Sequence, residues 1–216
     1  MLFKNREDAG NQLAPLLGAY RDAKNTVVLG LARGGVVTAA AVARALHLPL
    51  DVMIVKKLGA PDQEELAIGA VAATGDRVLN KQLIDSMHVP LDYMERVTAK
   101  ARKECDHRVA LYRKAYPAVE VKKQTVLLID DGIATGVTME AAIKASRTLG
   151  AQKVIVAVPM LPADTVQSMR KHADELVFVS APEYFGAVGS FYDYFPQVEH
   201  EEVIRILEEF LERPKL

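Results

Sequence analysis

Short runs of valine, isoleucine and leucine alternate along the chain with segments in which apolar positions recur every three or four residues. Runs of the first kind, at 26–30, 51–55, 68–73, 125–130, 153–158 and 175–179, are mostly apolar on both faces, as strands in the interior of a sheet are. Segments of the second kind, at 35–46, 91–116, 136–149, 163–171 and 199–212, carry the period of helices with one buried side. In the second of these, Met94, Val97, Ala101, Cys105, Val109, Tyr112 and Tyr116 fall on one stripe, which makes Cys105 a core thiol. Strand and helix in turn predict an α/β fold, with a mostly parallel central sheet flanked by helices in a doubly wound, Rossmann-like arrangement. No repeat or low-complexity linker divides the 216 residues. A single domain over 1–216 is expected, with a flexible loop at 56–75 and a small hood at 180–197.

Composition narrows the function classes. Lys and Arg number 27 against 28 Asp and Glu, so the net charge of -1 gives no overall drive toward nucleic acid or an anionic membrane. The single cysteine excludes an internal disulfide and a multi-cysteine zinc site, and fits a reducing, cytoplasmic setting. The opening residues hold too short an apolar run for a signal peptide. No stretch approaches the roughly 18 apolar residues of a membrane span, so no membrane partner is expected.

The segment 126–138 carries the chemistry. An apolar strand ends in Asp130 and Asp131, and a turn of small residues, Ala134, Thr135, Gly136, Val137 and Thr138, opens a helix. Main-chain N–H groups of such a turn point inward, the threonine hydroxyls add donors, and the helix N-terminus adds partial positive charge, so a phosphate monoester fits without a lysine. Val137, Ala141, Ala145 and Leu149 form a narrow stripe that lets the helix lie close to the sheet. Two carboxylates at the carboxyl end of a parallel strand can accept hydrogen bonds from a sugar diol and attract Mg²⁺. Taken singly, Asp131-Gly132 also reads as a turn, and Thr135 and Thr138 as helix caps.

This string resembles the phosphoribosyl pyrophosphate (PRPP) signature of the type I phosphoribosyltransferases. The resemblance implies that 134–138 hold the 5′-phosphate of PRPP and that Asp130 and Asp131 contact the ribose hydroxyls. Leu29-Gly30-Leu31-Ala32-Arg33-Gly34-Gly35 is similar to the family's pyrophosphate loop. Its glycines allow close main-chain approach and Arg33 offers a forked contact to phosphate oxygens. Ala32, Arg33, Gly34 and Gly35 are thereby implied to bind diphosphate, although such a turn is also an ordinary strand-to-helix connection. Lys56 and Lys57, ahead of the Gly/Pro-containing stretch to Ala70, resemble the basic strand end and flexible loop of a subgroup of predicted phosphoribosyltransferases, some fused to hydrolase domains. One of the two is expected to reach the diphosphate, the other to be solvated. The segment 180–196 gathers aromatics in a chain with only 6% of them and is similar to that subgroup's Phe-x-Ala-Val-Gly run. Tyr184, Phe185, Phe191 and Tyr192 could stack on a base or pack the connection onto the body.

The resemblance implies an enzyme that uses PRPP and Mg²⁺ to transfer 5-phosphoribose to a nitrogenous acceptor, a purine or pyrimidine base, with release of diphosphate. The catalytic set would be Asp130, Asp131, Arg33, Lys56 and Lys57. Mg²⁺ would ride on the substrate, with Asp130 and Asp131 as indirect partners and no metal held by protein alone. A homodimer is an admissible assembly. A PRPP-sensing regulator with little catalysis is the alternative; the near-zero charge and lack of a helix-turn-helix speak against nucleic-acid partners. No Walker A lysine, Gly-x-Ser-x-Gly elbow or paired zinc histidines occur, and the five histidines are scattered. Gly132 follows the acids where relatives often carry bulkier residues, and no base-specifying signature stands out.

Overall fold

The computed structural model describes residues 2–211, with only the backbone of Glu65. Five strands form the parallel central sheet: β1 (Thr26–Leu31), β2 (Leu50–Met53), β6 (Thr125–Ile129), β7 (Lys153–Met160) and β8 (Glu175–Ser180), in the order β2-β1-β6-β7-β8. β1 and β6 are adjacent, with Val27 level with Val126 and Gly30 with Ile129, so both strands deliver their following loops to one edge.

Side chains along β6 alternate between two cores, as a strand period of two requires. Leu127 and Ile129 pack with Ala39 and Leu46 of α2 (Gly34–Leu46), Tyr112 of α4 (Leu91–Ala115) and Leu207 of α7 (His200–Leu211). Val126 and Leu128 pack with Ala141 and Ala145 of α5 (Val137–Thr148). Residues Met94, Ala101, Cys105 and Tyr112 of the α4 stripe are buried, as the spacing predicts. Helix α6 (Ala163–His172) also follows its pattern, and Glu212, where the sequence pattern ends the last helix, lies outside the described residues.

The middle of the chain departs from expectation. Residues 51–55 do not make one strand, because β2 stops at Met53 and Val55 begins a second sheet. That sheet is antiparallel, in the order β3-β4-β5, from β3 (Val55–Ala60), β4 (Gln63–Ala72) and β5 (Arg77–Leu79). The expected strand at 68–73 therefore lies outside the parallel sheet, and the expected flexible loop at 56–75 is mostly a hairpin. Its order has a packing cause: Leu58, Ala60, Ile68 and Val71 bury one face against Val89 and, in α4, Met94 and Ala101. The opposite face contributes Val55, Ala70 and Ala72 to the core beside α5.

Two further helices have little apolar period to announce them. α1 (Arg6–Leu13) is set by its cap: the Asn5 carboxamide accepts from the Asp8 N–H at 2.8 Å, and Asp8 accepts from the Lys4 N–H at 3.0 Å. α3 (Lys81–Ser86) is likewise capped by Asn80. α1 packs closely on α2, where a Cβ at Gly10 would meet the Thr38 carbonyl, and this docking carries Arg6 to the sheet edge.

Candidate functional site

Ile129 ends β6, and the chain then turns through 130–136 into α5. Gly136 holds φ +81°, a left-handed conformation that favours glycine, and the Ile133 N–H donates to the Met160 carbonyl at 3.0 Å, pinning the turn to β7. Among the described residues, no protein acceptor meets the N–H groups of Ala134, Thr135 and Gly136. The first-turn N–H groups of α5 are orphaned by helix geometry, so a run of donors is left for an anion. Ala134, Thr135, Gly136 and Thr138 face a cavity, whereas Val137 turns into the core and supplies only backbone there.

The second loop comes from β1. The Ala32 N–H donates to the Met53 carbonyl at 3.0 Å, the Ala32–Arg33 peptide is cis, and α2 starts at Gly34. Ala32, Arg33 and Gly34 face the same cavity. Gly35 does not; it is where the two loops touch. A Cβ on Gly35 would sit 2.6 Å from Asp130 Oδ1 and 3.0 Å from the Ile129 carbonyl, so only a glycine lets the loops approach this closely. Arg33 Nη1 donates to Glu199 Oε2 at 3.0 Å, and that carboxylate is well exposed.

Between the loops lie the two acids. The Asp130 carboxylate accepts from the Asp131 N–H at 2.9 Å. Burial, reinforced by the neighbouring Asp131 charge, pushes the Asp130 carboxyl well above the ordinary carboxylate range. Burial also raises the Asp131 carboxyl, opposed by the Arg6 guanidinium beside it. Arg6 Nε donates to Asp131 Oδ2 at 2.7 Å and Arg6 Nη1 to the Pro196 carbonyl at 2.7 Å, while the guanidinium lies 3.6 Å from the centre of the Phe195 ring. No feature of sequence singles out Arg6, because its partners are 125 or more positions away.

The hairpin and α4 close the remaining wall. Both Lys56 and Lys57 line the cavity. Lys56 Nζ is 2.7 Å from Glu104 Oε2, an ion pair that holds the Glu104 carboxyl below its usual range. Lys57 is exposed and acts electrostatically on Asp130. Tyr93, Lys100, Glu104 and Arg108 of α4 also line the site, and sequence reasoning missed all four. A usable signal was present: Lys100, Glu104 and Arg108 are spaced four apart, beside the apolar stripe.

The hood aromatics are arranged for packing. Tyr192 is buried, donates its hydroxyl to the Asp131 carbonyl at 2.6 Å, and stacks on Phe195 with centroids 4.7 Å apart. Phe185 and Phe191 pair at 4.9 Å, and Tyr184 is 93% exposed. None of these four lines the cavity; Val188 and Phe195 take that place. Of the two roles the sequence allows these rings, Phe185, Phe191 and Tyr192 show the packing one, and Tyr184 projects outward. With Phe3 and Met160 offering an apolar seat beside the sheet, burying rings there is more favourable than leaving them over an open site.

The cavity measures about 570 Å³, within the range of small-molecule sites. Among the described residues no group of three or more His, Cys, Asp or Glu could hold a metal ion, and no helix is long and apolar enough to cross a membrane.

Comparison with known proteins agrees with this geometry. The family model described as phosphoribosyl transferase domain matches residues 4–195. A curated Mycobacterium tuberculosis protein (strain CDC 1551), whose name assigns it provisionally as a phosphoribosyl transferase, is 42% identical over 207 residues, covering 96% of this chain and 46% of its own length. The counterpart in strain H37Rv gives the same figures. The chain therefore spans about half the length of these curated relatives. Among solved structures, TT1426 from Thermus thermophilus is similar at a TM-score of 0.80 and 40% identity, covering 97% of this chain and 99% of that one. Because the matched segment takes in every wall of the cavity, from Arg6 to Phe195, the chain belongs to the phosphoribosyl transferase domain family, a family of pentosyltransferases.

Proposed function

We propose that the protein binds PRPP between its two loops and transfers 5-phosphoribose to a nitrogenous acceptor, in the first instance a purine or pyrimidine base. One observation carries this reading: two strand-to-helix turns with unsatisfied main-chain donors abut at Gly35 and Asp130, so one ligand with phosphate groups at both ends can be held by both. The turn at 134–138 takes the 5′-phosphate, and Ala32, Arg33 and Gly34 take the diphosphate. Asp130 and Asp131 accept from the ribose hydroxyls, and Lys57 adds charge on the leaving-group side. These residues fit a Mg²⁺ that arrives on the substrate: Asp130 is a half-buried carboxylate on the cavity wall with only one local main-chain donor, able to hold the ion's waters once ionised. The ion supplies charge stabilisation for the departing diphosphate. Arg33 must exchange Glu199 for phosphate oxygens, and the fixed loops orient the anomeric carbon for attack. A reducing compartment suits the buried thiol of Cys105.

The test is binding and turnover by the purified chain. PRPP with Mg²⁺ should raise the melting temperature, and diphosphate should appear with at least one acceptor in a panel of free bases and amide donors. Asp130→Asn with Asp131→Asn should weaken PRPP binding at least tenfold. Unchanged affinity in that variant, with no diphosphate from any acceptor, would refute the proposal; tight binding without turnover would instead mark a PRPP-sensing protein.

A further inference from the structure

The α4 wall of the cavity carries a charge pattern that the two phosphate loops do not explain. Lys100, Glu104 and Arg108 stand four residues apart, about 6 Å per step along the helix axis, so they share one face. On an ordinary solvated helix, a carboxylate between two cations at this spacing would pair with one of them. Here Glu104 reaches across to Lys56 on β3 instead, at 2.7 Å. Lys100 and Arg108 act on Glu104 only at longer range. Among the described residues neither has a carboxylate within ion-pair distance, although both line the cavity and Arg108 is half-buried.

Aromatic faces for a neutral ring are few in the cavity, where α4 adds only the aliphatic Val97 and Ala101 beside Tyr93. The hood aromatics lie outside the cavity, the face of Phe195 is taken by the Arg6 guanidinium, and the Tyr93 hydroxyl donates to the Gly59 carbonyl at 3.0 Å. Uncompensated cations in a concave site raise the local concentration of anions and reward a ligand that neutralises them.

We infer that the acceptor is itself an anion, a nitrogen nucleophile bearing a carboxylate or phosphate group that Lys100 and Arg108 hold, with Glu104 facing its N–H. This rests on the transferase reading above and specifies its second substrate. In the transfer step the C1–O bond to diphosphate breaks, diphosphate leaves with the electron pair, the C1–N bond forms, and the nitrogen's proton passes to water. Lys100 and Arg108 take no part in that bond exchange; they choose and position the acceptor.

Matched pairs that differ mainly in the acidic group test this. Orotate against uracil and nicotinate against nicotinamide probe a carboxylate, and phosphoethanolamine against ethanolamine probes a phosphate. Each is titrated calorimetrically into the protein saturated with Mg²⁺ and PRPP, and assayed for diphosphate release. The charged member of at least one pair should bind, or turn over by kcat/KM, at least tenfold better than its neutral partner. The pair that responds identifies carboxylate or phosphate. Lys100→Ala and Arg108→Ala should each cut that preference several-fold, with the Kd for PRPP within about twofold of the parent, a readout that a merely structural role would not separate. Three results would overturn the inference: preference for the neutral members, PRPP binding with no binding of any pair, or a loss of PRPP affinity in the two variants that equals the loss for acceptor. All three leave PRPP binding intact in the parent protein, so they are distinct from failure of the transferase reading, in which PRPP itself does not bind.

Discussion

Arg6 and Asp131 are 125 positions apart in the chain, yet Arg6 Nε donates to Asp131 Oδ2 at 2.7 Å with both side chains nearly buried. The contact ties the first helix to the acid pair, and the same guanidinium holds Pro196 and covers Phe195, so three distant segments meet on one cation. Removing it leaves the Asp131 carboxylate buried without its partner. Arg6→Met should destabilise the fold by about 3 kcal/mol, read as a lower urea midpoint. Arg6→Lys should recover only part, since an ammonium keeps the charge but neither the fork nor the stacking surface. A loss as small in Arg6→Met as in Arg6→Lys would show that the charge pair contributes little.

Asp130 works against the fold at neutral pH. Its carboxyl lies well above the ordinary value of 3.8 because it is buried beside Asp131, so the folded chain binds that proton more tightly than the unfolded chain does. The stability this contributes is complete below the unfolded value and is lost as pH rises through the raised folded value. Asp130→Asn removes the ionisation and should gain about 1 kcal/mol at pH 7. The gain should shrink toward pH 4. Denaturant midpoints at the two pH values measure it, and a gain that grew on acidification would contradict the assignment. The same variant should bind PRPP poorly, a trade of stability for site chemistry.

How far the sequence could be read follows from which interactions are local. The parallel strands were legible because Val126 to Ile129 and their counterparts are apolar on both faces, and the turn at 134–138 because its residue types and its helix are contiguous. The second sheet was not legible. A β-branched run such as 51–55 does not show that Met53 pairs beside β1 while Val55, two residues on, pairs beside β4. Arg6 was invisible for the same reason, its meaning depending on Asp131, Phe195 and Pro196. The charged residues of α4 look like a solvated flank because periodicity separates apolar from polar sides but does not say which polar side borders a cavity.

Tyr192 tests the packing role of the hood. Its hydroxyl donates to the Asp131 carbonyl at 2.6 Å from within a buried aromatic cluster, and burial pushes that hydroxyl above the ordinary tyrosine value, so it stays protonated as a donor. Tyr192→Phe should cost about 1 kcal/mol of stability by leaving that carbonyl without its donor. Tyr184→Ala, at a ring 93% exposed, should change neither the melting temperature nor acceptor affinity. A Tyr184→Ala variant with sharply weaker acceptor binding would instead assign this exposed ring a stacking role.

The two neighbouring lysines of β3 should separate by function. Lys57 has no ion-pair partner among the described residues and its charge acts on Asp130, so it is free to meet a diphosphate. Lys57→Ala should raise the Kd for PRPP with Mg²⁺ about tenfold, the usual size of one charge-assisted contact. Lys56 is already engaged, its Nζ 2.7 Å from Glu104 Oε2. Lys56→Ala releases Glu104, whose nearest alternatives are Lys100 and Arg108 on its own helix, at a spacing where such pairs form readily. Those cations would then be neutralised from within. The Lys56→Ala variant should keep PRPP affinity within about threefold and lose affinity for an anionic acceptor instead. Isothermal titration of both ligands on both variants decides the matter: parallel losses of PRPP affinity in the two would mean that both lysines serve the diphosphate and that Glu104 does not hold the α4 cations open.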